Sequence, residues 1–190
     1  VAGALEEGLI SHVLSSPLAA LNQLNDSDQN TTTQPSLRFQ SGRECRTFPR
    51  LEAARLMMVW PVASADDQLA IAGADLATTI LAEGRRSRLV QKLREELQIV
   101  ESIDMDVTTL EQGSLVMLEA CCPADQIERV EMEIHQQLNS SLTTAITDEE
   151  FHRALQLVGN GHRFSLEAPG AVAASAGSQT LWGRHRDLLA

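Results

Sequence analysis

Residues Leu81–Val107 read LAEGRRSRLVQKLREELQIVESIDMDV, and this stretch decides the fold. Leu89, Leu93 and Leu97 recur at helical spacing with Val90 beside them, so the segment from Ser87 to Leu97 reads as a short amphipathic helix. Gly84 stands where the preceding helix would end. Past Leu97 the period falls to two. Ile99, Ile103, Met105 and Val107 share one face of an extended segment, and Ser102, Asp104 and Asp106 the other. Glu101 falls on the apolar side, a local conflict. The helix also carries its charges against its dipole, with Arg85, Arg86 and Arg88 at its start and Glu95 and Glu96 at its end. Tertiary partners, rather than the dipole, are expected to set them.

Working outward, EQG (111–113) turns the chain into a second strand, SLVMLEACC (114–122), which Pro123 stops, so the pair reads as a hairpin. Upstream, SADDQLAIAGADLATTILAE (64–83) reads as a helix with Ser64 as N-cap and Leu69, Ala72, Leu76 and Ile80 on one stripe. Before it, RECRTFP (43–49) and ARLMMVWPV (54–62) look like strands. The second has apolar residues on both faces, which predicts a central strand covered on both sides. Downstream, Asp125 with Glu128 and Thr147 with Glu150 form capping-box patterns. They precede two helices with stripes Ile127, Val130, Ile134, Leu138 and Phe151, Leu155, Val158. A further helix is expected after Pro169. At the start, Leu5, Leu9 and Val13 predict a helix that Pro17 ends, and the polar, apolar-poor residues 22–36 read as a flexible linker. Paired strands separated by helical blocks predict an α+β fold: an antiparallel or mixed sheet covered on one side by helices.

The chain has 190 residues, 43% of them hydrophobic, enough for one sizeable core. Its net charge of −11 would repel a phosphate backbone, and with aromatics at 3% and no tyrosine it offers few platforms for stacking bases. Nucleic-acid binding is therefore not expected. No apolar run is long enough to span a bilayer. Cys121 and Cys122 are neighbours on a strand and point to opposite faces, which argues against a disulfide between them. With Cys45 they read as buried apolar thiols of a reducing compartment, which favours the cytoplasm.

Self-sufficient catalytic machinery is not visible. His12, His135, His152, His162 and His185 stand in no HExxH or HxxEH spacing. The serines form no GxSxG elbow, and GNGHRF around His162 lacks the strand-then-helix context of a phosphate loop.

TTILAEGRRSRLVQKLREELQIVESI, with SRLVQKLREE (87–96) as its most specific part, resembles the insulinase/pitrilysin family of zinc metallopeptidases, which includes the mitochondrial processing peptidases. The resembling element belongs to the family's non-catalytic half: a helix, a glycine-containing turn, Ser-Arg-Leu, and Leu-Arg-Glu-Glu leading into a strand. It covers roughly residues 44 to 180 and is supported by the hairpin and the ITDEEFHRAL helix start (146–155). The resemblance implies a processing peptidase-like half fold. Residues 1–21 would be the terminal helix of the preceding half, 22–36 the linker between halves, and 37–190 the non-catalytic domain, cut short at its C-terminus. Zinc, held by an HxxEH motif, would lie in the other half, with no cofactor in this chain.

The implied partners are a zinc-bearing half or subunit and a peptide substrate, within a homo- or hetero-oligomer. Arg94 matches the family's substrate-contacting arginine. Glu101 stands where the family carries a substrate-contacting tyrosine, and Gln98 where it carries a glycine. A phenol stabilises a developing oxyanion and a carboxylate repels it, so Glu101 is a departure from conventional assistance to catalysis. For Arg85, Arg86 and Arg88, solvent or acidic residues of the other half are the expected partners, and for Arg94 a surface glutamate or the peptide. The alternative function on the same fold is assembly without peptidase work.

Overall fold

The computed structural model describes residues 3, 6, 8–17, 19 and 38–181. By contacts the chain divides into two units, Ser36–Gly159 and the union of Val1–Pro35 with Asn160–Ala190. The linker expected at 22–36 lies outside the described residues, as does Leu5. Elements run α1 (Leu9–Leu14), β1 (Ala54–Val62), α2 (Gln68–Ala82), a π-helix (Val90–Glu96), β2 (Ser102–Thr108), β3 (Ser114–Cys122), a 3₁₀ turn (Ala124–Gln126), α3 (Ile127–Thr143), α4 (Asp148–Ser165) and α5 (Pro169–Leu181).

Among the described residues the strands form one antiparallel sheet in the order β1-β3-β2, so the fold is α+β with helices on one sheet face. The expected hairpin pairs Ile103 with Ala120, Met105 with Leu118 and Val107 with Val116. Alternation then sends Leu56, Met58 and Trp60 of β1, Leu118, Ala120 and Cys122 of β3, and Ile103 and Met105 of β2 into the core, against Leu89, Leu93, Val130 and Ile134 of the helical layer. Cys121 and Cys122 part to opposite faces and all three cysteines are free thiols, but only Cys122 is buried as expected: Cys121 is half-buried and Cys45, outside the sheet, is exposed.

Several expectations are corrected. β1 is not central. Among the described residues it pairs with β3 alone and turns one face to the core, leaving Met57 58% and Val59 49% exposed on the other. Residues 43–49 form no strand. They meet no strand partner and are tied instead by ion pairs Arg43–Glu131 at 2.8 Å and Arg46–Glu44 at 2.7 Å. The cap of α2 is Asp67, whose side chain accepts from the Ala70 amide at 3.0 Å, not Ser64. α2 buries its C-terminal half through Thr78, Thr79, Ile80 and Ala82, while Leu69 is 85% exposed. Asp125 is not the cap of α3, because it lies within the 3₁₀ turn and Gln126 takes the N-cap position.

α4 is rolled about its axis from the expected setting. Phe151 and Leu155 are more than two-fifths exposed, and Ala154 is the buried residue. Polar ties on the Glu150–Arg153–Ala154 face account for the turn. Arg88 grips Glu150, and Nη1 of Arg153 donates to the Arg86 carbonyl at 2.9 Å, its Nε and Nη2 buried without an acceptor among the described residues.

Candidate functional site

The site grows from the reversed charges. Gly84, one residue past the C-cap of α2, takes φ +78°, a conformation glycine adopts without steric cost, and this aims the GRRSR turn back over the domain. Ser87 Oγ donates to the Gly84 carbonyl at 2.7 Å and closes that turn. The arginines it presents meet carboxylates of this same chain, where solvent or another half had been expected. Arg85 pairs with Glu95 at 2.6 Å, Arg86 with Glu149 at 3.2 Å, and Arg88 with Glu150 through two bonds of 2.6 and 2.9 Å. Acidic residues at the start of α4 also suit its own dipole, so one set of charges serves both ends of the contact.

Arg88 and Glu150 form the firm joint, with side chains only 16% and 18% exposed. Glu150 closes the expected capping box as well. Its Oε2 accepts from the Thr147 amide at 2.9 Å, and Thr147 Oγ1 accepts from the Glu150 amide at 3.2 Å. The Arg88 guanidinium first, and Thr147 with it, holds the Glu150 carboxyl down at about 2. Glu150 correspondingly raises the Arg88 guanidinium.

Arg94 projects from the π-helix, whose ladder runs from the Leu97 amide to the Lys92 carbonyl at 3.0 Å. Such i to i−5 turns are rare and gather at functional positions. Leu93 beside it is fully buried, while the Arg94 side chain is 39% exposed and rests on Glu95 through bonds of 2.9 and 3.1 Å. Lys92 and Glu96 pair on the open side at 2.9 Å. Glu101 is exposed just ahead of β2; its amide donates to the Cys121 carbonyl at 2.8 Å and its carboxylate takes the Cys121 thiol at 3.7 Å. The position before the strand removes the conflict in its pattern. Arg94 and Glu101 share no hydrogen bond or ion pair. Among the described residues no group of three His, Cys, Asp or Glu side chains converges as a metal site would require. No helix among them is long and apolar enough to cross a membrane.

The surface glutamate expected as one partner of Arg94 is its neighbour Glu95; sequence reasoning missed only that Arg85 shares this carboxylate, since ten residues of separation produce no periodic signal. Gln98, by contrast, carried a signal. It takes φ +53° between the π-helix and β2, where a side chain is strained. Gln98→Gly is expected to stabilise the domain by about 0.5–1 kcal/mol in urea unfolding, the relief of a left-handed residue less the entropy glycine loses. A lower urea midpoint would show that the Gln98 side chain outweighs its strained backbone.

The profile of the peptidase M16 inactive domain matches residues 7–158. No curated protein matches the chain. Solved structures share the fold. A protease from Helicobacter pylori is 18% identical with a TM-score of 0.61, over 68% of this chain and 32% of that one. The peptidase M16 inactive domain from Pseudomonas fluorescens is 18% identical with a TM-score of 0.62, over 71% of this chain and 32% of that one. An inactive peptidase domain from Bordetella parapertussis is 19% identical with a TM-score of 0.58, over 71% of this chain and 75% of that one. The match thus spans about a third of the length of the first two.

Proposed function

Because this chain belongs to the peptidase M16 family, as its inactive domain, we propose that it is the zinc-free half of a metallopeptidase and helps enclose and position an extended peptide for hydrolysis by a zinc-bearing half or subunit. The observation that carries this reading is the inactive-domain match across residues 7–158. In it, residues 1–21 close the preceding half and residues 37–190 supply the domain. Arg94 is the residue that meets substrate: its stem borders the buried leucines while its guanidinium sits at an open edge, able to donate to a peptide carbonyl or carboxylate. The free cysteines support a reducing compartment such as the cytoplasm. The placement of Glu101, a carboxylate where the family has a phenol, favours a second reading, an assembly domain that keeps the fold without peptidase work.

The test uses the full protein with any co-purifying homologue. Zinc per chain is measured with chelator-reversible cleavage of a mixed peptide library. Zinc with cleavage is expected, and Arg94→Ala is expected to lower kcat/KM about tenfold, the loss of one charge-assisted hydrogen bond, with the melting temperature changed little. Absence of both zinc and cleavage would leave the assembly reading standing. Parallel losses of activity and melting temperature in Arg94→Ala would make that residue structural.

A further inference from the structure

The carboxylate of Glu95 is shared between two cations. Its Oε1 accepts from Nε and Nη2 of Arg94 at 3.1 and 2.9 Å, and its Oε2 accepts from Nη2 of Arg85 at 2.6 Å. The two arginines arrive differently. Arg94 leans on its immediate neighbour and places two donors on a single oxygen, so no other described residue accepts from its remaining N–H groups. Arg85 comes from the glycine turn, is 78% exposed, and grips the opposite oxygen. Glu95 is 29% exposed, so a Glu95 left without any cation loses a partly screened charge pair.

We propose that Glu95 and Arg85 form a hand-over pair that positions Arg94 for an acceptor oxygen of an extended peptide. This rests on the reading that Arg94 meets substrate. With no peptide present, Glu95 holds the Arg94 guanidinium at the open edge and limits its rotamers. When a peptide carbonyl or side-chain carboxylate approaches, Arg94 turns its donors to it, and Glu95 stays compensated by Arg85. Two cations on one carboxylate make the exchange inexpensive, because neither the anion nor the departing cation is left unpaired. Without Arg85, Glu95 has one cation only, and each contact of Arg94 with peptide strands that carboxylate. Arg85 thereby tunes peptide affinity without touching peptide, and both residues are positioning residues.

The experiment measures anisotropy of two fluorescein-labelled, C-terminally amidated ten-residue peptide mixtures, one containing glutamate and one in which glutamine replaces it. Each is titrated with the full protein together with its zinc-bearing half. Arg85→Ala is expected to raise Kd about threefold to tenfold, the scale of one partly exposed charge pair, and Arg85→Lys to recover part of the loss. In an Arg94→Ala background, or with Glu95→Gln, the effect of Arg85→Ala is expected to vanish, an outcome a merely structural role would not produce. A larger loss on the glutamate mixture assigns the acceptor as a carboxylate, and equal losses assign it as a backbone carbonyl; either supports the hand-over. If Arg85→Ala acts equally in the presence and absence of Arg94, or not at all, the hand-over is overturned while the reading of Arg94 stands. If Arg94→Ala leaves Kd unchanged on both mixtures, the reading of Arg94 fails and the hand-over with it.

Discussion

Glu150→Ala is expected to destabilise the domain by about 2–4 kcal/mol at neutral pH, because it leaves the Arg88 guanidinium largely buried without its counter-charge and removes one half of the capping box of α4. Both partners are less than one-fifth exposed, so solvent screens the pair weakly. The pH dependence carries the same signature. The folded state holds the Glu150 carboxyl at about 2 against an ordinary value of 4.5. A depressed carboxylate contributes its stability in full above the higher value and loses it as pH falls towards the lower one. The wild-type domain should therefore weaken between about pH 4.5 and 2, and Glu150→Gln should flatten that slope while lowering stability at pH 7. Urea melts followed by circular dichroism at pH 7, 4 and 3 decide it. A wild-type slope retained in Glu150→Gln would assign the acid sensitivity to other carboxylates.

Leu93→Ala is the second large effect, expected to cost about 3–4 kcal/mol. Leu93 is fully buried in the core, and its carbonyl also accepts from the Ile99 amide at 3.0 Å, so its side chain holds the π-helix to the sheet and its backbone holds the connection that leads into β2. A cavity there loosens the π-helix that carries Arg94, and peptide handling should fall together with stability. This distinguishes it from Arg94→Ala, where activity is expected to fall alone. Leu93→Met, which nearly conserves volume, should cost under about 1.5 kcal/mol. If Leu93→Ala and Leu93→Met proved equal in urea midpoint, the core would be collapsing around the site instead of keeping a void.

How much of this was legible in the sequence depends on the kind of signal. Period-two alternation identified Ile103 and Met105 as inward residues of β2, and the 3.6-residue period identified Val130 and Ile134 of α3, because each pattern reports which side chains share a face. The Thr147–Glu150 box was legible since its partners lie three residues apart. Alternation does not report which strands are neighbours. Apolar residues on both faces of β1 read as a central strand, yet β3 occupies the centre of the described sheet. The roll of α4 was equally hidden. A stripe of Phe151, Leu155 and Val158 predicts one face, and a buried ion pair to a residue 62 positions earlier selects another. At the candidate site, Arg94 and Glu101 came from resemblance to a family. A surface glutamate was one expected partner of Arg94 and is Glu95, whereas Arg85 on that carboxylate and Cys121 beside Glu101 came only from three-dimensional placement.

The Arg88–Glu150 joint also bears on the order in which the domain assembles. The β2–β3 hairpin brings together residues close in sequence, whereas the joint closes a loop of 62 residues and depends on both the glycine turn and the start of α4 already being in place. Contacts that close long loops tend to form late, after the local ones have repaid part of the chain entropy. A bond absent from the folding transition state governs how fast the native state opens and leaves the rate of its formation almost untouched. The grip of Arg88 on Glu150 is thus expected to act on the lifetime of the folded domain, which faster unfolding of Glu150→Ala at an unchanged refolding rate would show.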